Sequence, residues 1–492
     1  MLPRSLLAAA PHAAMDPVVR SAAAVRPAPA YAPHERPISM PMSTTTSLDR
    51  RRFLAVSAGA ALSASALSGC AASVSDDGDS GGKSGARTTL TVMSQANELD
   101  PKTIKAAEQA LGVKISLITY DATKLNAMLA AHNPPDLVRG SGALETPYFA
   151  ARGLMSELDS YFEKSSVLDP SDLDPVNDLW RFDGKKQGAG PRYGMAKDYS
   201  QDAMFWYRTD LFDAAGLDRP SDTEPLTYDE WFDLGKKLVK HRRGKVKVYG
   251  LNATGLGNFA MFLNMTASGG GSLFAEDLAS VDFSSPEARN ALKWYLEYAR
   301  ADIGPNAANP NPDGWDWPTY QAGRMAMACD GYWFGGAIGG DAKKAEVSRF
   351  APAPQMAGGT RISPCFGATG YWIPKEAKHK DAAWKFFEWY FGGRPAKDRA
   401  SSGWGIPTLK SLRPQMPQNT TFQKQAFKVQ EQELPYFSVL TVTPYVQTTA
   451  LDAVINKVLP GAIKSTTSPG KVADQLNTQM NALIAKGKEL VG

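Results

Sequence analysis

An α/β fold in two lobes follows from three features of the chain. Strand-like and helix-like segments alternate between Thr89 and Val138, the pattern of an open sheet with helices on its faces. The alternation recurs between Phe205 and Ala299 without a tandem sequence repeat, so a second lobe is expected rather than a solenoid. A Ser-, Gly- and Asp-rich stretch, residues 71–87, separates this body from everything before it.

Residues 89–93 are β-rich and read as the first strand. Ile104, Ala107 and Leu111 recur at helical spacing behind Pro101, so 101–111 is a helix that Gly112 ends. Val113, Ile115 and Leu117 alternate as a strand through Tyr120. Asp121 caps a second helix with Leu125, Met128 and Leu129 on one face; Asn133-Pro134-Pro135 breaks it before a buried strand at 136–138. Ligands of open sheets sit beyond the carboxyl ends of the strands, here residues 94–98 and 139–143.

Residues 184–193, rich in Gly and Lys, read as a loop or turn pair, and Phe205-Trp206-Tyr207 as an aromatic strand. A short helix, 211–215, stops at Gly216. Thr227 and Glu230 form a capping box that opens a helix through Lys240, and a strand is expected over 246–251. An apolar helix over 258–268 closes at Gly269-Gly270-Gly271. Ser285-Pro286-Glu287 starts another with Leu292, Tyr295, Leu296 and Ala299 inward. Beyond Pro318 a short helix stops near Gly323, an apolar strand follows, and Asp330-Gly331 releases it into Tyr332-Trp333-Phe334. Helices are expected over 380–391 and 472–490.

Before the tether lies an export-like order: Arg50, Arg51 and Arg52, then Phe53-Leu54, a mildly apolar run to Leu67, and Ser68-Gly69-Cys70. The run is too short for a span of about 20 apolar residues. The arginines resemble a twin-arginine signal and Leu67–Cys70 a lipobox, so the sulfur of Cys70 is the expected lipidation site. Residues 1–48 are Ala- and Pro-rich with no steady period, and a start at Met42 would give an ordinary leader. The tether reaches roughly 20–25 Å by random-coil scaling.

Residues 1–70 hold seven arginines against three acids, which accounts for the whole formal charge of +4. The remainder is formally neutral and has no global field for nucleic acid, so attachment to a membrane falls to the lipid. Five histidines lack metal-ligand spacing, and neither a metal nor a cofactor is expected. Cys329 and Cys365 could pair outside the cytoplasm.

Asn133-Pro134-Pro135-Asp136, the run Gly323–Trp333 with its Gly-Arg-x-Ala-Met…Asp-Gly-x-Trp spacing, Gly370–Lys385 and Ser402–Pro407 occur in that order. Together they resemble the carbohydrate-binding lipoproteins of bacterial ABC importers, the extracellular solute-binding family that includes maltodextrin-binding proteins. The resemblance implies a periplasmic-binding-protein fold (type II-like): lobes 89–198 with 367–417 and 202–364 with 422–492, joined by crossing segments near 198–201, 365–367 and 417–422. It also implies a carbohydrate partner, a permease partner in the membrane and a monomer.

A pyranose lays its apolar face on an aromatic ring and needs partners for each buried hydroxyl. The resemblance makes Trp333 the leading stacking residue, with Asp330 beside it. Trp315 and Trp317 lie on a polar loop, and Trp404 in a Gly-flanked turn of the other lobe. Asp198, Tyr199 and Asp202 lie at the first crossing, where relatives hold hydroxyls. Gln95, Asn97 and Glu98 follow the first strand; Arg139 follows the third and would hold a hydroxyl or an acidic sugar. Trp206 and Trp231 read as core.

The expected function is capture without chemistry. Alternatives are the same fold around a polyol, peptide or polyamine, and a glycosidase using Glu98 and Asp330 as its carboxylates; no nucleophile motif supports the latter.

Overall fold

The computed structural model describes residues 87–95, 98–255 and 257–491. The leader with Arg50 and Arg51, Cys70, most of the tether and Asn97 lie outside them.

The first helix forms where apolar spacing placed it, over Pro101–Leu111. Asp100 accepts the Thr103 N–H at 2.7 Å, and Gly112 ends the helix in left-handed backbone (φ 67°). The second, Ala122–Ala130, is capped by Asp121 and buries Leu125 and Leu129. Between them the strand Thr89–Ser94 pairs in parallel with Lys114–Thr119 on one side and Leu137–Ser141 on the other. Two later strands complete a five-stranded sheet, both antiparallel: Thr369–Trp372 beside Leu137–Ser141, then Gly194–Ala196. Leu90, Val92, Leu137, Tyr371 and Phe386 fill one face.

The second lobe is built on Phe205–Arg208, flanked antiparallel by Met327–Ala328 and Ser348–Ala351. Helices Asn258–Ser268, Pro286–Arg300, Thr448–Lys464 and Pro469–Glu489 gather Phe262, Leu292, Tyr295, Leu451 and Leu476 into its core. Trp206 and Trp231 are buried in apolar clusters, as expected. A further apolar cluster, including Tyr199, Ala203, Cys365, Met416 and Phe422, runs through the crossing segments, so the hinge itself is packed.

The structure corrects several boundaries. The capping box of Thr227 and Glu230 is present, but its helix ends at Leu238 because Lys240–Arg242 turns back as a hairpin with Lys245–Val248. Residues 187–192 form a strand paired with Arg181–Phe182; glycines had hidden its alternation. The short helix begins at Asp316, with Pro318 in its first turn, and the strand after it shrinks to Met327–Ala328. Trp333 opens an unforeseen helix, Phe334–Gly339, whose three glycines argued against it. The helix from Lys380 is regular to Phe387 and then widens into a π turn, Glu388–Gly392.

Among the described residues no helix is long and apolar enough to cross a membrane.

Candidate functional site

The strand ending at Ala328 delivers Asp330-Gly331-Tyr332 against the first crossing segment. The Tyr332 N–H donates to Ser200 Oγ at 2.6 Å and Trp206 Nε1–H to the Gly331 carbonyl at 2.7 Å. Gly331 is in left-handed backbone (φ 62°), and a Cβ there would sit 2.5 Å from Ser200 Oγ, so only glycine lets the two segments meet.

Asp330 is thereby 3% exposed, beside Asp316 at 5%. The Asp316 carboxylate accepts Asn252 Nδ2 at 2.7 and 2.9 Å and Asn311 Nδ2 at 2.9 Å. Burial raises both carboxyls; for Asp330 the charge of Asp316 adds to it, and the hydrogen bonds to Asp316 oppose it there. Burial and the neighbouring charge of Asp316 thus favour the protonated form of Asp330 more than that of Asp316. Asp330 Oδ2 is buried and has no hydrogen-bond partner among the described residues.

Asp316 lies between Trp315 and Trp317, so the acid pair ties that turn to the segment carrying Trp333. Phe334 is the common anchor: Trp333 meets it edge-on at 5.7 Å, Trp317 at 6.0 Å and Tyr320 at 5.5 Å. Trp317 and Trp333 are half-buried, and Trp315 is 44% exposed. Trp404, 41% exposed, lies against Gly336, two residues beyond Phe334. Three of the four tryptophans expected at a sugar face, Trp317, Trp333 and Trp404, thus meet one short helix, and Trp315 lies two residues before Trp317. Asp316, Asn252 and Asn311 were missed; the Trp-Asp-Trp triplet was the signal for the first.

The first lobe contributes a compact ionic cluster. Arg139 donates to Glu98 through Nε at 3.2 Å and Nη2 at 3.1 Å; Lys197 Nζ lies 3.7 Å from Glu98 and 2.6 Å from Asp198. Burial acts to raise the Glu98 carboxyl, but Lys197 and Arg139 overcome it and hold it below the usual range. Arg139 is therefore engaged by an internal carboxylate, which balances its charge. Gln95 is exposed at the end of the first strand, its carbonyl accepting the Glu98 N–H.

The crossing residues take structural tasks instead of presenting free polar groups. Asp198 accepts from Lys197 and from Thr369 Oγ1 at 3.3 Å. The Tyr199 hydroxyl is buried between Arg413, 2.5 Å away, and Asp174. Asp202 Oδ2 accepts the N–H groups of Phe366 at 2.7 Å and Gly367 at 3.0 Å, joining the first crossing to the second; burial pushes its carboxyl up to about 7. The Cys329–Cys365 bridge that the sequence left possible is not formed: both thiols are free, and Cys329 donates to the Ala203 carbonyl at 3.4 Å.

Arg152 was not foreseen. From the end of Gly142–Ala151 in the first lobe it donates to the carbonyls of Pro444 at 2.7 Å and Tyr445 at 2.8 Å. Tyr445 belongs to the second lobe, where it packs against that lobe's core. Nothing about a lone arginine after Ala-Ala marks it as an interlobe clamp.

This arrangement offers rings, a buried acid pair and amides and, among the described residues, no cluster suited to a metal ion. The fold is shared with solved structures. An ABC substrate-binding protein from Listeria monocytogenes in complex with cycloalternan has a TM-score of 0.67 and 22% identity, covering 80% of this chain and 98% of that one. A solute-binding protein from Agrobacterium vitis with bound D-mannitol has a TM-score of 0.65 and 21% identity, covering 81% and 99%. A mannitol-binding protein of Pseudomonas aeruginosa is 26% identical over 196 residues, 39% of this chain; the chain spans 43% of that relative's length. The family described as bacterial extracellular solute-binding protein matches residues 94–392, and the chain belongs to it.

Proposed function

We propose that the protein captures an uncharged sugar or polyol between its lobes and hands it to the permease of an ABC importer without altering it. The observation that carries this reading is the Asp316–Asp330 pair set among Trp315, Trp317 and Trp333, with Trp404 against the helix that Trp333 opens. Rings take the C–H faces of the ligand, and a hydroxyl satisfies the buried Asp330 oxygen, whose isolation costs about 1–3 kcal/mol. Gln95 stands at the ligand end of the first lobe. Ligand that touches both lobes only when they close favours the closed form, which is the form the permease reads.

Neutral ligands fit because Arg139 and Lys197 are already balanced by Glu98 and Asp198. The same balance argues against a glycosidase, since Glu98 is locked between two cations and is not poised as acid or nucleophile. That the solved relatives carry cycloalternan and D-mannitol supports the ligand class. The rest of the reading is a monomer exported through the arginine-led signal and moored by a lipid on Cys70.

The test is a thermal-shift panel of monosaccharides, oligosaccharides and polyols, since a ligand raises apparent stability as RT ln(1 + [L]/Kd). At least one saccharide or polyol is expected to raise the midpoint, with calorimetry giving its affinity. A flat response across the panel, or release of reducing sugar, would overturn the proposal.

A further inference from the structure

The hairpin behind the helix Tyr228–Leu238 has no part in the ligand site. Residues 236–247 contain Lys236, Lys237, Lys240, Arg242, Arg243, Lys245 and Lys247, with His241 among them and no acid between Leu234 and Tyr249. All seven cations are exposed. Lys240–Arg242 pairs antiparallel with Lys245–Val248 around a turn at Arg243 and Gly244, both in left-handed backbone (φ 54° and 70°). This register sets Arg242 directly opposite Lys245, an unfavourable pairing of like charges in a free hairpin.

Neighbouring acids do little to offset this charge. Lys236 pairs with Asp233 at 2.6 Å and His241 lies 3.9 Å from Asp302. The other six cations make no ion pair among the described residues. Because the chain after residue 70 is formally neutral, the patch is a local excess on one projecting turn rather than part of a general field. Its tip carries no aromatic anchor, which distinguishes it from the desolvated centre of a protein interface. A projecting row of cations on short strands suits a broad anionic plane.

We infer that this hairpin rests on the anionic headgroups of a phospholipid bilayer, turning that edge of the second lobe toward the membrane. The inference does not depend on which solute is bound. A lipid on Cys70 would bring the body within reach of such a surface, but the charge complementarity stands without it.

The experiment compares the full chain carrying Cys70→Ala with the same chain also carrying Lys240→Ser, Arg242→Ser and Lys245→Ser, so that any contribution of the leader is common to both. Each is sedimented with phosphatidylcholine vesicles, with and without roughly 30% phosphatidylglycerol. The parent is expected to bind the anionic vesicles about tenfold more tightly than the neutral ones at low salt, and to lose the preference near 0.5 M salt. The triple variant is expected to lose most of it while keeping its thermal midpoint. Equal binding of both proteins, no preference between vesicles, or tighter binding to polyglutamate than to vesicles would overturn the inference. The last result would assign the hairpin to an acidic polypeptide.

Discussion

Trp404 lies so close to Gly336 that a Cβ on the glycine would sit 2.5 Å from the indole Cγ. Gly336→Ala forces the indole away, and overpacking of this kind costs about 1–3 kcal/mol. Ligand affinity is expected to fall about tenfold by calorimetry, the factor that 1.4 kcal/mol corresponds to. Unchanged affinity would separate Trp404 from closure.

Trp333 and Trp231 offer a contrast. Trp333 is half-buried beside Phe334, whereas Trp231 is 1% exposed in the core. Trp333→Ala should lower affinity about tenfold or more, losing a stack worth roughly 0.5–1.5 kcal/mol beyond its area, with a small change in thermal midpoint. Trp231→Ala should instead lower stability by about 3–5 kcal/mol. If Trp333→Ala binds normally, Trp333 is not a stacking residue.

The Asp202 carboxyl, pushed up to about 7 by burial in the hinge, makes stability depend on pH. Its folded value lies above the unfolded one of 3.8, so the folded state holds the proton more tightly. The resulting stability is fully present below pH 3.8 and is lost as pH rises toward about 7, to the order of 4 kcal/mol. Asp202→Asn should flatten that decline in denaturant titrations taken from pH 4 to 8. A variant with the parent's slope would place the effect elsewhere.

Arg152 links the lobes through two carbonyls without a place among the tryptophans. Arg152→Ala should favour the open form, seen as a larger radius of gyration in solution scattering with ligand present. Affinity should fall about tenfold, in line with the roughly 1.5–3 kcal/mol of a charge-assisted hydrogen bond partly screened by solvent. A compact liganded variant would show that ligand alone holds closure.

Much of the fold was legible because local rules and global packing agree. Asp100, Pro101 and Gly112 each do at a helix end what their chemistry dictates, and the period of two in Val113–Leu117 has one apolar face to bury. Glycine-rich segments were misread for the converse reason. The helix at Phe334–Gly339 exists through the contacts of Phe334, Ala337 and Ile338, which no propensity records. At the site, the aromatic residues could be listed from their neighbours in sequence, whereas the occupation of Arg139, Tyr199 and Asp202 by internal partners could not.

What the amino-acid order determined by itself was the alternation of elements, their caps and the presence of many rings on polar turns, since these depend on residues a few positions apart. Tertiary structure alone decided which polar groups remain unspent. Glu98 meets Arg139, Asp330 meets Asp316, and Asp202 meets the backbone of Phe366 across separations of 41, 14 and 164 residues. A carboxylate's role depends on the charge and hydrogen bonds around it, and those neighbours exist only once the chain has folded.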